Sequence, residues 1–246
     1  MQICHLEEIE KYGGVSAFFV SDGKCLWKDA ERSAENWKEL AEQLGVSTSA
    51  IIRPSQTHTS AVRFVTKQNG GEGVVKQETE SGFDGVAANE KRLLLCTLEA
   101  DCVPVYLYDP VQKAAAMVHS GWKGTAGKIS ENAVKVMAEK FGTKAENLIA
   151  ATGPCICPDC YEVSADLLPR FEERFSRKET AKIFTPKEHG KYLLDLPFAI
   201  RLTLEKLGVK PENISHSEIC TFHSGVCPSF RKGCAEERIL TGIMLL

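Results

Sequence analysis

The stretch DCVPVYLYDPVQKAAAMVHSGWKG, residues 101–124, holds two apolar runs on either side of an Asp-Pro turn signal. Such a pattern reads as a buried β-hairpin. With Asp109–Gln112 as the turn, Tyr108 faces Lys113 and, counting outward, Cys102 falls opposite His119. Directly opposed residues point to one face, with Cβ atoms ~4.5–5.5 Å apart. A thiol and an imidazole at that spacing suit two ligands of one metal ion, a thiolate–imidazolium dyad, or a buried cysteine beside a satisfied histidine. A bulge or an odd-residue loop would send them to opposite faces instead. The hairpin alone leaves these readings open.

The rest of the chain surrounds this hairpin with both kinds of element. Strands are expected at 15–21, 49–53, 61–66, 92–98, 147–153 and 238–246. Helices are expected at 31–45, where Gly45 is a plausible C-cap, at 127–142, where Ile129, Val134, Met137 and Phe141 share a face, and at 195–208, with Pro197 in the first turn. Residues 67–82 are polar and Gly-rich and read as an exposed loop. No repeat or linker divides the sequence, so residues 1–246 are expected to form one domain of α/β class, with too many strands for a simple alternating doubly wound order.

Composition removes several classes of function. A net charge of −3 with both signs interspersed leaves no basic footprint for nucleic acid. No apolar run approaches the roughly 18 residues of a membrane span, and MQICHLEEIEKYGG has neither the basic nor the apolar region of a secretory signal. Ten cysteines scattered through apolar runs point to free thiols or metal ligands in a reducing compartment, so a cytoplasmic location is expected.

A third candidate ligand, His58, lies in PSQTHTSAV just before a β-like run. Three protein ligands with an open position are how a catalytic zinc is built, whereas a structural zinc wants a fourth. Two other motifs fail. GWKGTAGKIS puts Trp122 and Ile129 where a P-loop needs Gly and Ser or Thr, and HSE at 216–218 lacks the P-C-x-x-C partner of the cytidine-type deaminases. The run GPCICPDCYEV contributes Cys155, Cys157 and Cys160, with Cys220, Cys227 and Cys234 as possible partners. It is read as a turn carrying free thiols in preference to a second metal site.

QTHTSAV, DGV, TLEADCVPVYLYDP, HSGWKGT, GPCICPDCYEV and a late CT…SFRK…TG occur in an order that resembles the YfiH-type laccase-domain family, from about Gln56 to the C-terminus. The resemblance implies a mixed-sheet α/β/β/α sandwich. It also implies a metal site made of the His of Q-x-H, the Cys of A-D-C and the His of H-S-G-W, which here are His58, Cys102 and His119. Two activities are associated with that family: copper-dependent oxidation of phenols, and zinc-dependent phosphorolysis of purine nucleosides (adenosine, inosine, guanosine, methylthioadenosine) with adenosine deamination. Six histidines, with no H-x-H or H-C-H pair, are too few for several copper centres, so one mixed N/S site favours zinc over copper. The expected partners are therefore a small nucleoside and phosphate.

Phosphate needs an anion site. Lys123, where the family usually has Arg, the glycine-rich entry to the following helix and Arg231 of the SFRK motif are candidates. Gln56 is a candidate for hydrogen bonding a base or orienting the site, and Asp84 for building a turn. Competing expectations are a copper polyphenol oxidase, a metal-free cysteine hydrolase using Cys102 and His119, and a zinc-stabilised interaction module.

Overall fold

The computed structural model describes residues 1–20, 27 and 30–246; Ser21, the end of the first expected strand, lies outside them. The hairpin is at its centre. Val103–Asp109 pairs antiparallel with Ala114–Ser120, in a register that runs from Val103 opposite Ser120 to Asp109 opposite Ala114. The loop is therefore Pro110–Lys113, one residue further on than the sequence count places it. Asp109 explains the slip. Its Oδ1 accepts the N–H groups of Val111 and Gln112 at 2.9 and 3.1 Å, so it closes the strand as an Asx turn, and Lys113 completes the reversal at φ 51°. His119 faces Pro104 rather than Cys102. The error is two positions, which preserves strand parity, so Cys102 and His119 still point to the same side of the sheet.

This pair belongs to a six-stranded mixed sheet in the order Ile214–His216, Ile149–Thr152, Val103–Asp109, Ala114–Ser120, Gly85–Ala88 and Val62–Phe64. Side chains alternate across it. Val103, Val105, Leu107, Ala116 and Val118 pack beneath the helices Ile129–Phe141 and Leu196–Lys206, while Tyr106, Tyr108, Ala115 and Met117 face the other way. There they meet the inner face of a five-stranded sheet, ordered Ile3–His5, Val15–Val20, Ile239–Leu245, Leu94–Glu99 and Ile51–Ile52. Tyr106 ties the two sheets together by donating its hydroxyl to the Phe18 carbonyl at 2.8 Å. The outer face of the second sheet, with Phe18, Leu94 and Cys96, is covered by Trp37, Leu40 and Ala41 of the helix Ala30–Gln43. The layers are helix, sheet, sheet and helix. Because both faces of both sheets are covered, their strands are nearly continuously apolar, without the alternation of a half-exposed sheet.

The helix expected over 127–142 is present as Ile129–Phe141, and a separate short helix, Trp122–Ala126, precedes it, set off by Lys128 at φ 56°. The loop 67–82 is anchored rather than simply exposed. Glu72 is buried and pairs with Arg63 at 2.6 Å, with Asn69 and Thr79 donating to its other oxygen. A small third sheet of Glu162–Ser164, Lys191–Leu194 and Phe184–Pro186, which the sequence pattern does not signal, stands beside the helical layer.

Candidate metal centre and its cavity

The loop before Val62 carries two non-glycine residues in the left-handed region, Gln56 at φ 53° and His58 at φ 61°. Each costs about 1–3 kcal/mol unless its surroundings compensate. Asp84, fully buried, supplies the compensation. Its carboxylate accepts the backbone N–H groups of Thr57, His58 and Thr59 at 3.1, 3.0 and 2.7 Å, together with the Thr59 hydroxyl at 2.9 Å. Successive N–H groups curled around one anion form a nest, and Asp84 is the anion. Asp84 therefore does more than build a turn. Its Oδ1 also receives Nδ1–H of His119 at 2.8 Å. A carboxylate can only accept, so the proton lies on Nδ1 and leaves Nε2 as the available ring nitrogen. Burial opposes the charge on Asp84, but His119 and the Thr59 donors hold the carboxyl below its ordinary range.

Cys102 follows Asp101, which turns the chain at φ 84° just ahead of the strand. One ligand atom each from His58, Cys102 and His119 lies within 4.8 Å of the others, and the two imidazoles stand edge to face with centroids 5.0 Å apart. Gly121 makes room for this trio. A Cβ there would sit 2.9 Å from the Cys102 sulfur and 3.2 Å from His58. Burial alone would push the Cys102 thiol up, but the His119 charge and hydrogen bonds from both histidines bring it down to about 6. Burial likewise opposes a charged His119, yet the Cys102 thiolate and Asp84 raise it to about 10. Without a cation, then, each member of the pair favours the charged form of the other. A metal ion can take the place of the imidazolium proton and bind the thiolate. The donor set of one sulfur and two nitrogens, with His119 oriented by Asp84 and no fourth protein ligand among the described residues, fits a tetrahedral ion with one open position.

Two cavities meet at the trio, both lined by His58, Ala100, Cys102 and Phe230. One, of about 250 Å³, adds His119, Gln56 and two arginines, Arg53 and Arg238. The other, of about 270 Å³, adds Trp122, Tyr161, Leu196 and Arg231. Beneath the first sheet's end lies Glu99, buried, one oxygen taking the Thr241 hydroxyl at 3.0 Å and the other without a partner. Burial pushes it up to about 7.

The remaining sequence candidates separate. Gln56 lines the first cavity and pairs both ends of its amide with the backbone of Leu98, at 2.8 and 2.9 Å, which fixes the loop to the second sheet. Lys123 is exposed, rests 5.6 Å over the Trp122 ring and lines a separate cleft beside Arg170 and Arg174. The one-turn helix Trp122–Ala126 rotates it away from the trio. Arg231 reaches the second cavity, donating to the Glu162 carbonyl at 2.7 Å and lying over Tyr161 at 5.2 Å. Arg53 and Arg238 were missed by motif reading. Arg53 is the residue that closes the 49–53 run, and Arg238 heads the C-terminal strand; both were placed only as strand ends. His216 bonds the Thr152 hydroxyl at 2.7 Å. His223 faces the sulfurs of Cys157 and Cys160.

A family model described as multi-copper polyphenol oxidoreductase laccase matches residues 9–245. The chain is 33% identical over 195 residues to purine nucleoside phosphorylase YlmD of Bacillus subtilis, covering 79% of this chain and 69% of that protein. It is 31% identical over 218 residues to adenosine deaminase RL5 of an unknown prokaryotic organism, covering 87% and 82%. Its fold is similar to the crystal structures of YlmD from Geobacillus stearothermophilus (TM-score 0.89, 27% identity, 95% and 93% covered) and of the hypothetical protein YfiH from Bacillus licheniformis (TM-score 0.87, 26% identity, 97% and 95% covered).

Proposed function

The chain belongs to the laccase-domain family of YfiH and YlmD, and from that premise we propose that it is a zinc-dependent purine nucleoside phosphorylase that also deaminates adenosine. The observation that carries this reading is the junction of the two cavities at His58 and Cys102, beside His119: one side holds Arg53 and Arg238, the other Trp122 and Tyr161. Relatives named for nucleoside phosphorolysis and for adenosine deamination support it.

Phosphorolysis brings together a dianion and a nucleoside. A phosphate oxygen forms a bond to C1′ while the bond from C1′ to the purine nitrogen breaks. The bond pair leaves with the purine, which ends with the proton that hydrogen phosphate gave up. Arg53 and Arg238 are suited to the phosphate, since a guanidinium matches phosphate oxygens in a bidentate fork and stays charged even when partly buried. Tyr161 and Trp122 offer π-faces to the purine, with Arg231 over Tyr161 at its edge. Phe230 borders both cavities and would hold water away from C1′. His58, Cys102 and His119 would hold the zinc ion, which supplies Lewis-acid polarisation of substrate oxygen or nitrogen and an acidified water for deamination. Asp84 keeps His119 in the tautomer that ligation needs. Zinc is preferred to copper because the site has one sulfur and two imidazoles, and no imidazole-rich cluster of the kind a multicopper oxidase needs stands beside it among the described residues.

A second reading rests on the depressed Cys102 thiol beside His119, which is the geometry of a cysteine hydrolase. One experiment separates them. The protein is incubated with adenosine, with and without phosphate, before and after chelation, and the products are resolved by chromatography. Adenine and ribose 1-phosphate formed only with phosphate, and lost on chelation, are expected. Neither base release nor inosine under any condition would overturn the proposal for adenosine.

A further inference from the structure

Four donors outside the cavity converge on one point: the sulfurs of Cys157, Cys160 and Cys220 and the imidazole of His223 all lie within 4.8 Å of one another. The sequence arranges them as two matched pairs, C-P-D-C at 157–160 and C-T-F-H at 220–223, each with two intervening residues. Sequence reading missed the second pair by looking for cysteines alone. Cys227 packs instead at the edge of the core between the sheets, and Cys234 is not part of the group.

We infer that Cys157, Cys160, Cys220 and His223 form a closed, structural zinc site, distinct from the trio in the cavity. Three lines of geometry support it. First, a Zn–S bond of about 2.3 Å and a Zn–N bond of about 2.0–2.1 Å give a ligand tetrahedron with edges of roughly 3.5–3.8 Å. The Cys160 and Cys157 sulfurs stand 3.4 and 3.9 Å from Nδ1 of His223. Second, the pairs are built like zinc knuckles. Cys157–Cys160 closes a tight turn, with Cys160 N–H donating to the Cys157 carbonyl at 3.1 Å. The Cys220 sulfur receives the N–H of Cys157 at 3.3 Å as well as those of Phe222 and His223, an environment made for a thiolate. Third, backbone pairing sets the two pairs side by side: Thr221 N–H donates to the Cys155 carbonyl at 2.9 Å, and Cys155 N–H to the Ile219 carbonyl at 3.3 Å. A Cys157–Cys160 disulfide would use two of the four donors and leave Cys220 and His223 outside it. Four protein ligands with no open position are the structural form of a zinc site.

The ion would clamp the loop 153–161 to the loop 219–234. Both loops reach the cavity through Asp101. Its carboxylate accepts the Thr221 hydroxyl at 2.6 Å and the Arg231 N–H at 2.7 Å, and its carbonyl accepts Ile156 N–H at 3.0 Å. Cys102 is the next residue. The second metal thus acts as a fastener for Tyr161, Phe230 and Arg231.

The test is zinc stoichiometry of untagged protein by elemental analysis, for wild type, Cys102→Ala, Cys160→Ser/Cys220→Ser and the combination. Retention of about one zinc per chain in Cys102→Ala, and its loss in the combination, are expected. This holds whether or not the cavity trio binds metal, so failure of the functional proposal would show separately, as wild type carrying no more than Cys102→Ala. Zinc content unchanged by Cys160→Ser/Cys220→Ser, or absent from Cys102→Ala, would overturn the inference. A native-state alkylation map of the wild type guards against misfolding of the variants. Cys157, Cys160 and Cys220 should label at least tenfold faster once a chelator is added. Equal labelling with and without chelator, or a Cys157–Cys160 disulfide in freshly purified protein, would count against the site.

Discussion

Replacing Asp84 by Asn keeps the shape of the side chain and removes the charge that four donors and an imidazole surround. Breaking a buried, hydrogen-bonded pair of this kind costs about 3–5 kcal/mol, and for a chain of this size we expect a fall in Tm of roughly 6–20 °C by calorimetry. Gly121→Ala acts at the same point from the other side. Its Cβ would meet the Cys102 sulfur at 2.9 Å and displace the thiol, so zinc bound at the trio should fall well below that of wild type while the circular dichroism spectrum is unchanged. Glu99 supplies a pH signature. Its folded-state pKa of about 7 lies above the ordinary carboxyl value, so the folded form binds the proton more tightly than the unfolded chain. Its contribution to stability is full below about pH 4.5 and is lost as pH rises through 7. Urea unfolding at pH 5 and pH 8 should show wild type losing up to about 3 kcal/mol more than Glu99→Gln over that interval. Equal losses would refute burial of an ionisable carboxyl.

Elements explain which parts of this arrangement the sequence discloses. The central hairpin announces itself because both its runs are apolar and Asp109-Pro110 punctuates them, yet the register depends on which N–H groups Asp109 captures, and that is a local hydrogen-bond choice invisible to periodicity. The site survived the slip because a shift of two positions keeps the face. The strand Gly85–Ala88 and the sheet around Lys191–Leu194 went unread because they are short and lack alternation. Lys123, which the family motif offers for phosphate, lines a separate cleft, since a motif does not show which way a one-turn helix points a side chain. The His58, Cys102 and His119 trio came in part from motif resemblance, whereas the nest around Asp84 required left-handed backbone that no pattern of side chains reveals. Strand packing is itself testable. Gly242 of the C-terminal strand lies under the Phe18 ring, where a Cβ would come within 2.8 Å. Gly242→Ala should therefore destabilise the protein by about 1–3 kcal/mol through overpacking, read as a lower urea midpoint with an unchanged m-value.

Across the whole molecule, two sheets packed face to face leave a core that ends near Cys102, His119 and Glu99, and the loops at that end close around the cavities. The scaffold keeps the trio rigid, because His119 and Cys102 are held by the central strand pair and His58 by Asp84. The cationic and aromatic walls come from loops that are far apart in sequence, with Arg53 on one and Arg231 and Arg238 on another. This is why the proposed metal ligands are easier to read from sequence than the proposed substrate contacts. Inosine tests the central claim most directly, since it has no 6-amino group to lose and its base release is free of any deamination. Hypoxanthine and ribose 1-phosphate should appear in proportion from wild type with phosphate, and their rate should fall at least a hundredfold in Cys102→Ala. Hypoxanthine release that is independent of phosphate, or undiminished in Cys102→Ala, would contradict the assignment of the reaction to this site.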